Sequence, residues 1–172
     1  MLTLRCTAAL LKRVGPAQPD TRPSGVLGDW YAKMLMTRPR QLVLCLNERT
    51  LLAVVVPLAP AVHLRERFAE AARHRINQIP VSAEQRLAEI GALTDVRIGR
   101  TANRSVISSL NQAEFEAQCH FEDHPGTDLE ELGLWLSDTP RSALTTDWPW
   151  SEAELLLAGG PLLHRKTART PG

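Results

Sequence analysis

The sequence has few cysteines and no long apolar run, and both absences narrow the class of protein. The three cysteines, Cys6, Cys45 and Cys119, include no closely spaced pair, which argues against a disulfide framework and favours a reducing compartment. The longest apolar run, residues 51–58, is far shorter than the roughly 20 residues of a membrane-spanning helix. The first residues lack the basic start and apolar stretch of a signal peptide. We therefore expect a soluble cytoplasmic protein with no membrane partner.

Motifs of several enzyme classes are also missing. The sequence contains neither the glycine-rich pattern of a P-loop nor the Gly-x-Ser-x-Gly pattern of many hydrolases. Aromatic residues make up only 5% and are scattered, so a base-stacking platform is not indicated. Cys119, His120, Asp123 and His124 resemble metal ligands, but Phe121 follows His120 where a zinc-protease motif has an acid. We predict no metal and no cofactor.

What the sequence does have is a division of charge along the chain. Residues 111–156 carry eleven acids and one arginine, whereas most of the lysines and arginines lie in residues 1–110. Two interpretations remain open: the two regions attract each other inside the fold, or they form separate surfaces for partners. In the second case the acidic third would bind a protein, and the basic face would bind nucleic acid or another phosphate-bearing ligand.

Hydrophobic periodicity predicts an α+β fold. Strands are expected at residues 2–6, 41–46, 51–56 and 94–99, with the middle two joined as an apolar β-hairpin. Apolar residues at three- and four-residue spacing predict helices within residues 64–79, 82–90, 105–121 and 129–136. We predict a small, largely antiparallel sheet with this hairpin at its centre and about five helices packed on it. Residues 1–140 would form a single domain, and residues 141–172 a partly docked or flexible extension.

Polar residues at the expected helix ends refine these boundaries. Asp29 is predicted to cap a helix over residues 30–37, because its carboxylate can accept an N–H group of the first turn. Ser82 and Asp128 each open a capping box, and Leu87 is expected to face inward from the helix that follows Ser82.

The most prominent functional candidate is the polar segment at residues 99–111, where a predicted strand is followed by a helix. A helix N-terminus attracts anions, and Arg100 and Arg104 add guanidinium groups that suit phosphate. A purely structural interpretation stays open, in which Ser105 is the N-cap, Asn103 is a turn residue and the arginines are solvated or paired. The segment's short hydrogen-bonding side chains are Thr101, Asn103, Ser105 and Asn111.

Two further groups of residues add to this candidate. The hairpin turn holds Asn47, Glu48 and Arg49, which place an acid and a cation within reach of a neighbouring site, although a polar turn is often only a turn. Arg5 is a further cation that would help to hold a phosphate. Asp29 or Glu48 is the candidate base of an enzyme in which Asn103 and Arg104 would stabilise developing negative charge.

Four blocks of sequence resemble a family of uncharacterised bacterial proteins, domain-of-unknown-function family 6933. The blocks are LRCTAALL (4–11), LGDWYA (27–32), LNERTLL (46–52) and IGRTANRSV (98–106), and the likeness extends over about residues 1–140. The resemblance implies no reaction. Its association with mobile elements and plasmids suggests a nucleic-acid or toxin–antitoxin role by analogy alone.

One departure from the family pattern affects the end of the fourth block. The family continues to a Gly, a Met and an Asn followed by an acid, whereas here Ser108 stands for the Gly and Gln112 for the acid. A catalytic role for that acid would leave this chain impaired.

Three functions follow from these residues. We place first a binding module with an anion or phosphate site at residues 99–111, with nucleic acid as one such ligand. The alternative is a protein-interaction partner, toxin–antitoxin-like or associated with mobile elements. A nuclease or nucleotide-modifying enzyme is the third.

Overall fold

The computed structural model describes residues 1–38 and 40–160, and these residues form five strands and six helices. The strands are β1 (Leu2–Cys6), β2 (Trp30–Leu35), β3 (Leu42–Asn47), β4 (Ala53–Pro57) and β5 (Val96–Arg100). The helices are α1 (Ala8–Val14), α2 (Leu64–Asn77), α3 (Ala83–Ala92), α4 (Arg104–Asp123), α5 (Leu129–Ser137) and α6 (Pro149–Leu157). The α+β prediction is confirmed. None of the helices described is both long and apolar enough to cross a membrane.

The five strands form one mixed sheet in the order β4-β3-β2-β1-β5. β2, β3 and β4 are antiparallel neighbours, whereas β1 is parallel to both β2 and β5. The sheet is therefore not largely antiparallel. The expected β3–β4 hairpin is present, but it lies at one side, because β4 is an edge strand. Parallel pairing joins segments far apart in sequence, such as Leu2 and Val96, and local periodicity does not reveal it.

Two hydrophobic cores lie on the two faces of the sheet. On the first face, α1, α2 and α6 pack against alternate residues of all five strands, including Leu4 and Ile98. On the second face, α4 and α5 cover β2, β3 and β4. Among the described residues, no member of this second core comes from β1 or β5. The second face of β1 and β5 instead carries Thr3, Arg5 and Arg97.

The segment at residues 30–37 is the main error of the sequence-based prediction. It forms the strand β2 rather than a helix, and it pairs with β1 on one side and β3 on the other. Trp30 packs edge-on against Phe68 of α2, with the ring centroids 5.5 Å apart. A strand covered on both faces is mostly apolar, as β2 is apart from Lys33, so it lacks the polar–apolar alternation that would distinguish it from a helix.

The helix boundaries agree with the sequence in most places. Ser82 forms the expected capping box, and Asp128 caps α5 by accepting the N–H of Glu131 at 2.8 Å. Leu87 does not face inward, because it is 69% exposed. α6 was not predicted, and its Ala153 joins the first core. The final part of the proposed extension, residues 161–172, lies outside the described residues.

At each edge of the sheet, side chains or a loop form hydrogen bonds with the backbone of the edge strand. At β4, Ser137 Oγ accepts the N–H of Ala53 at 3.0 Å, and Arg75 Nε donates to the Ala53 carbonyl at 3.1 Å. At β5, the N–H of Gln18 donates to the Ile98 carbonyl at 2.8 Å, and Gln18 Oε1 accepts the Ile98 N–H at 3.1 Å. The outward-facing backbone groups of Ala53 and Ile98 are thus paired within the chain.

Candidate functional site

A buried carboxylate, Asp29, organises the exposed end of the second sheet face. Its side chain is 3% exposed, and its Oδ1 accepts the N–H of Thr3 at 2.8 Å. Its Oδ2 accepts Arg5 Nε, also at 2.8 Å. The N–H of Asp29 donates to Glu48 Oε1 at 2.9 Å. Asp29 is therefore not a helix cap: it joins β1, the start of β2 and the hairpin turn.

Arg5 is held by three acceptors and keeps one nitrogen unpaired. Besides Asp29, Arg5 Nη1 donates to Asp20 Oδ1 and to the Arg100 carbonyl, each at 3.0 Å. Within residues 1–38 and 40–160, Arg5 Nη2 has no partner. Burial acts to lower the pKa of the Arg5 guanidinium, but Asp29 and Asp20 outweigh it and raise this pKa. The result is a permanently charged, fixed guanidinium with one free donor nitrogen.

Arg5 lies where two parallel strands send the chain to opposite faces of the sheet. β1 is followed by α1 on the first face, and the adjacent β5 is followed by α4 on the second face. In open α/β sheets, ligands bind at the carboxyl ends of the strands where the chain changes direction in this way. The hydrogen bond from Arg5 to the Arg100 carbonyl places the guanidinium at this end of β5.

The loop after β5 crosses towards β2 before α4 begins. The N–H of Asn103 donates to Tyr31 Oη at 3.1 Å, and Tyr31 is the cross-strand partner of Arg5. Asn103, rather than Ser105, is the N-cap of α4, since its Oδ1 accepts the N–H groups of Ser105 and Val106 at 3.0 and 3.4 Å. These two N–H groups are therefore satisfied inside the protein. An anion at this place would depend on side chains more than on the helix N-terminus.

Arg100 and Arg104 supply such side chains. Both residues are exposed, and neither forms a side-chain hydrogen bond or ion pair with any described residue. Together with Arg5 they form what we call the Arg5 site: Arg5, Arg100 and Arg104. Thr101 lies between them in the loop and is half-buried. Gly99 is required beneath this loop, because a Cβ atom there would lie 2.4 Å from Thr3 Cγ2.

Asn111 is not part of this arrangement. Its Oδ1 accepts Lys33 Nζ at 2.8 Å, and Lys33 also forms an ion pair with Glu114. Asn111 follows Arg104 by seven residues of α4, which is about 10 Å along a helix axis. Its contacts give it a role in joining α4 to β2.

The hairpin turn is built around Asn47. Its buried Oδ1 accepts the N–H groups of Arg49 and Thr50 at 3.1 and 3.0 Å, so it shapes the turn. Arg49 Nη1 donates to the Val26 carbonyl at 2.7 Å. Glu48 supports Asp29 from the same turn. The structure thus brings Asn47, Glu48, Arg49, Asp29 and Arg5 together, but the first three bind the protein itself.

Glu89 of α3 anchors the chain just before Asp29. Its carboxylate accepts the N–H of Val26 and, at 3.1 Å, that of Leu27. A Cβ atom on Gly25 would lie 2.2 Å from Glu89 Oε2, so only glycine fits there without a shift. Burial raises the pKa of the Glu89 carboxyl, and the opposing effects of these N–H groups, of Arg49 and of the amino terminus are smaller.

This raised pKa predicts a pH-dependent contribution to stability. An unfolded glutamate ionises near pH 4.3, at about its reference pKa, whereas Glu89 keeps its proton to a higher pH when folded. The folded state then binds more protons, so Glu89 lowers the free energy of unfolding as the pH rises through this interval. In urea unfolding from about pH 4 to about pH 7, Glu89→Gln should gain stability relative to the native protein. The exposed Glu84→Gln is the control, and a gain that does not change with pH would contradict the prediction.

His120 of α4 and His124, which follows the helix, take part in a stack of rings. His120 lies between His124 and Trp135, with centroids 4.7 and 4.5 Å away. Within the described part of the chain, no three His, Cys, Asp or Glu side chains are grouped so that they could hold a metal ion.

Asp20 and Thr3 are contacts of the site that the sequence alone did not indicate. Asp20 lies in a proline-rich loop, residues 15–25, where no local pattern marks it. Thr3 precedes Arg5 by two residues, so period-two alternation places both on one face of β1. Tyr31 was predicted to lie in a helix over residues 30–37, whereas it lies in β2 and its Oη accepts the N–H of Asn103.

Comparison with known proteins gives one family and one distant likeness in structure. A chain of the structure titled "CryoEM structure of simian T-cell lymphotropic virus intasome in complex with PP2A regulatory subunit B56 gamma" is 13% identical, with a TM-score of 0.43. The likeness covers 90% of the present chain and 63% of that one, and it is too weak to carry an argument. No curated protein matches. The family model described as "Domain of unknown function (DUF6933)" matches residues 3–154, and the chain belongs to this family.

Proposed function

We propose that this protein is a cytoplasmic binding module for a phosphate-bearing anion, with the Arg5 site as its binding surface. The observation that carries the proposal is that the Arg5 guanidinium is held in place but has one unpaired nitrogen. The guanidinium is fixed by Asp29, Asp20 and the Arg100 carbonyl, while Nη2 stays unpaired at the carboxyl ends of parallel strands. A guanidinium fork suits phosphate because it offers two parallel N–H donors.

Arg100 and Arg104 extend this surface. They are exposed and unpaired among the described residues, so binding an anion would break no ion pair of theirs. Exposed arginines in a series suit a phosphate backbone better than an enclosed small molecule, since small-molecule sites are concave. Nucleic acid is therefore the phosphate-bearing ligand that we favour. The three free cysteines, two of them buried, support a reducing compartment.

The contacts give less support to the proposed enzyme. Both Asp29 oxygens accept hydrogen bonds from the protein, and Glu48 Oε1 accepts the Asp29 N–H. A general base needs an oxygen within reach of the substrate proton. The contacts of Asp29 and Glu48 therefore favour a general base less than those of Arg5, Arg100 and Arg104 favour anion binding.

The test is a binding measurement at two salt concentrations. Fluorescence anisotropy with a labelled single-stranded oligonucleotide would report polymer binding, and thermal shift with inorganic phosphate would report a small anion. Each lost phosphate contact should lower the salt slope by about 0.7 for a single strand, so Arg100→Ala/Arg104→Ala should lower it by about 1.4.

The matched control removes two exposed arginines from the opposite side of the sheet. Arg65 and Arg73 of α2 are exposed, and α2 packs on the first face. Arg65→Ala/Arg73→Ala should leave the affinity and the salt slope nearly unchanged. An equal loss in both double variants would show a general charge effect, and no binding of either probe by the native protein would overturn the proposal.

A second candidate function, protein binding, rests on the exposed aromatic residues Phe115 of α4 and Trp135 of α5. Part of the acidic third is already paired inside the fold, since Glu116 pairs with Arg141 at 2.8 Å and Glu130 with Arg75 at 3.2 Å. A Phe115→Ser variant that captures the same partners as the native protein would remove this candidate.

A further inference from the structure

We propose that Asp20 is an internal competitor for the anion, so that a ligand of the Arg5 site must displace the Asp20 carboxylate before it binds fully. The inference rests on the function proposed above and concerns the regulation of the same site. A guanidinium binds a phosphate most strongly through two nitrogens at once. In Arg5, Nη2 is unpaired, whereas Nη1 donates to Asp20 Oδ1 at 3.0 Å.

The two carboxylates on Arg5 differ in how firmly they are held. The Asp29 side chain is 3% exposed and also accepts the Thr3 N–H, so it remains in place. The Asp20 side chain is 75% exposed, and among the described residues its one side-chain partner is Arg5. Exposed ion pairs contribute little free energy, so an incoming anion can replace Asp20 but not Asp29.

The loop that carries Asp20 is anchored on both sides of it. Two residues before Asp20, Gln18 is bonded to the backbone of Ile98. Four residues after it, the N–H of Ser24 donates to the Met1 carbonyl at 2.9 Å. Between these anchors the loop can move over a short span without releasing the sheet edge. Displacement of Asp20 therefore needs only a local change.

The conformation with Asp20 on Arg5 leaves a polar group unsatisfied. The Oγ1 atom of Thr21, the next residue, is buried without a hydrogen-bond partner in the described part of the chain. Thr3 Oγ1, on the strand face beside Arg5, is also buried and unpartnered. A buried hydroxyl without a partner costs free energy, and a shift of the loop would let Thr21 reach water. The closed loop is thus poised to open when an anion supplies a better partner for Arg5.

The experiment compares Asp20→Asn and Asp20→Ala with the native protein. The probes are inorganic phosphate and the labelled oligonucleotide at fixed salt, with circular dichroism and the melting temperature as checks of folding. Loss of one exposed competing carboxylate should tighten binding by about twofold to fivefold. The control is Asp95→Asn at the amino end of β5, where Asp95 lies 3.6 Å from Arg97 on the same face.

The outcomes separate this inference from the proposed function. Tighter binding in both Asp20 variants than in the native protein, with no such gain in Asp95→Asn, supports the competitor role. Equal affinity in the native protein and the Asp20 variants overturns the inference and leaves the binding module standing. An equal gain in Asp95→Asn overturns it as well, because it shows a general effect of charge. Absence of binding in all four proteins overturns the proposed function itself.

Discussion

Replacing Arg75 with alanine is expected to lower the free energy of unfolding by about 2–3 kcal/mol, because it removes a fully buried side chain and leaves the Ala53 carbonyl of β4 without its donor. The Arg75 side chain is 0% exposed, and its Nε donates to the Ala53 carbonyl of β4. Its Nη1 donates to Gln78 Oε1 at 2.8 Å and lies 3.2 Å from Glu130 Oε1. Burial lowers the pKa of this guanidinium, which Glu130 and Asp138 oppose. The measurement is equilibrium unfolding in urea.

Arg73→Ala is the matched control for Arg75→Ala. Arg73 lies on the same helix but is exposed, and an exposed substitution of this kind changes stability by about 0.5 kcal/mol or less. A loss below about 1 kcal/mol in Arg75→Ala would show that the network contributes little beyond packing. Gly133 of α5 lies against the Arg75 side chain. A Cβ atom on Gly133 would lie 2.7 Å from Arg75 Nη2. Gly133→Ala should therefore also destabilise the protein.

Replacing Asp29 with alanine is the second change with a large expected effect, a loss of about 3 kcal/mol in the free energy of unfolding. The substitution leaves the N–H of Thr3 without its acceptor and Arg5 without its buried counter-charge. It also removes the contact that fixes Arg5 for binding, so anion affinity should fall as well. Urea unfolding and the oligonucleotide assay measure the two effects.

Asp29→Asn separates hydrogen bonding from charge. The amide oxygen of asparagine can still accept the Thr3 N–H, so the loss of stability should be smaller than in the alanine variant. Asp20→Asn, which changes the exposed partner of Arg5, should cost less than about 1 kcal/mol. Equal losses in Asp29→Ala and Asp20→Asn would contradict the assignment of Asp29 as the buried anchor.

The features that the sequence predicts well are those fixed by neighbouring residues. The β3–β4 hairpin follows from two apolar runs and a short polar turn, and Asn47 shapes that turn with its own carboxamide. The capping box at Ser82 and the N-cap at Asp128 follow from polar residues three positions apart, although Glu131 does not complete the second box. In each case the hydrogen-bonded residues are a few positions apart in the sequence. The local sequence pattern is therefore enough to predict the contact.

The features that the sequence hides depend on partners far along the chain. Asp29 looks like a helix cap from its neighbours, yet its carboxylate binds Thr3 and Arg5, 26 and 24 residues away. Because Asp29 was predicted to cap a helix, the strand β2 was not predicted. The candidate residues of the site were largely named, but their division into anchors and free cations needed the contacts. Asn47 and Asn111 serve the fold, whereas Arg100 and Arg104 remain unpaired among the described residues.

The hydrogen bonds at the two edges of the sheet affect how readily the protein associates with itself in concentrated solution. An edge strand with free N–H and carbonyl groups can recruit a strand from another molecule and start a growing polymer. Here Arg75 and Ser137 occupy the Ala53 backbone on one side, and Gln18 occupies the Ile98 backbone on the other. The same side chains that stabilise the fold therefore oppose strand addition at these two residues. Loss of Arg75 would then weaken folding and uncover a recruiting strand at the same time, so aggregation would accompany unfolding.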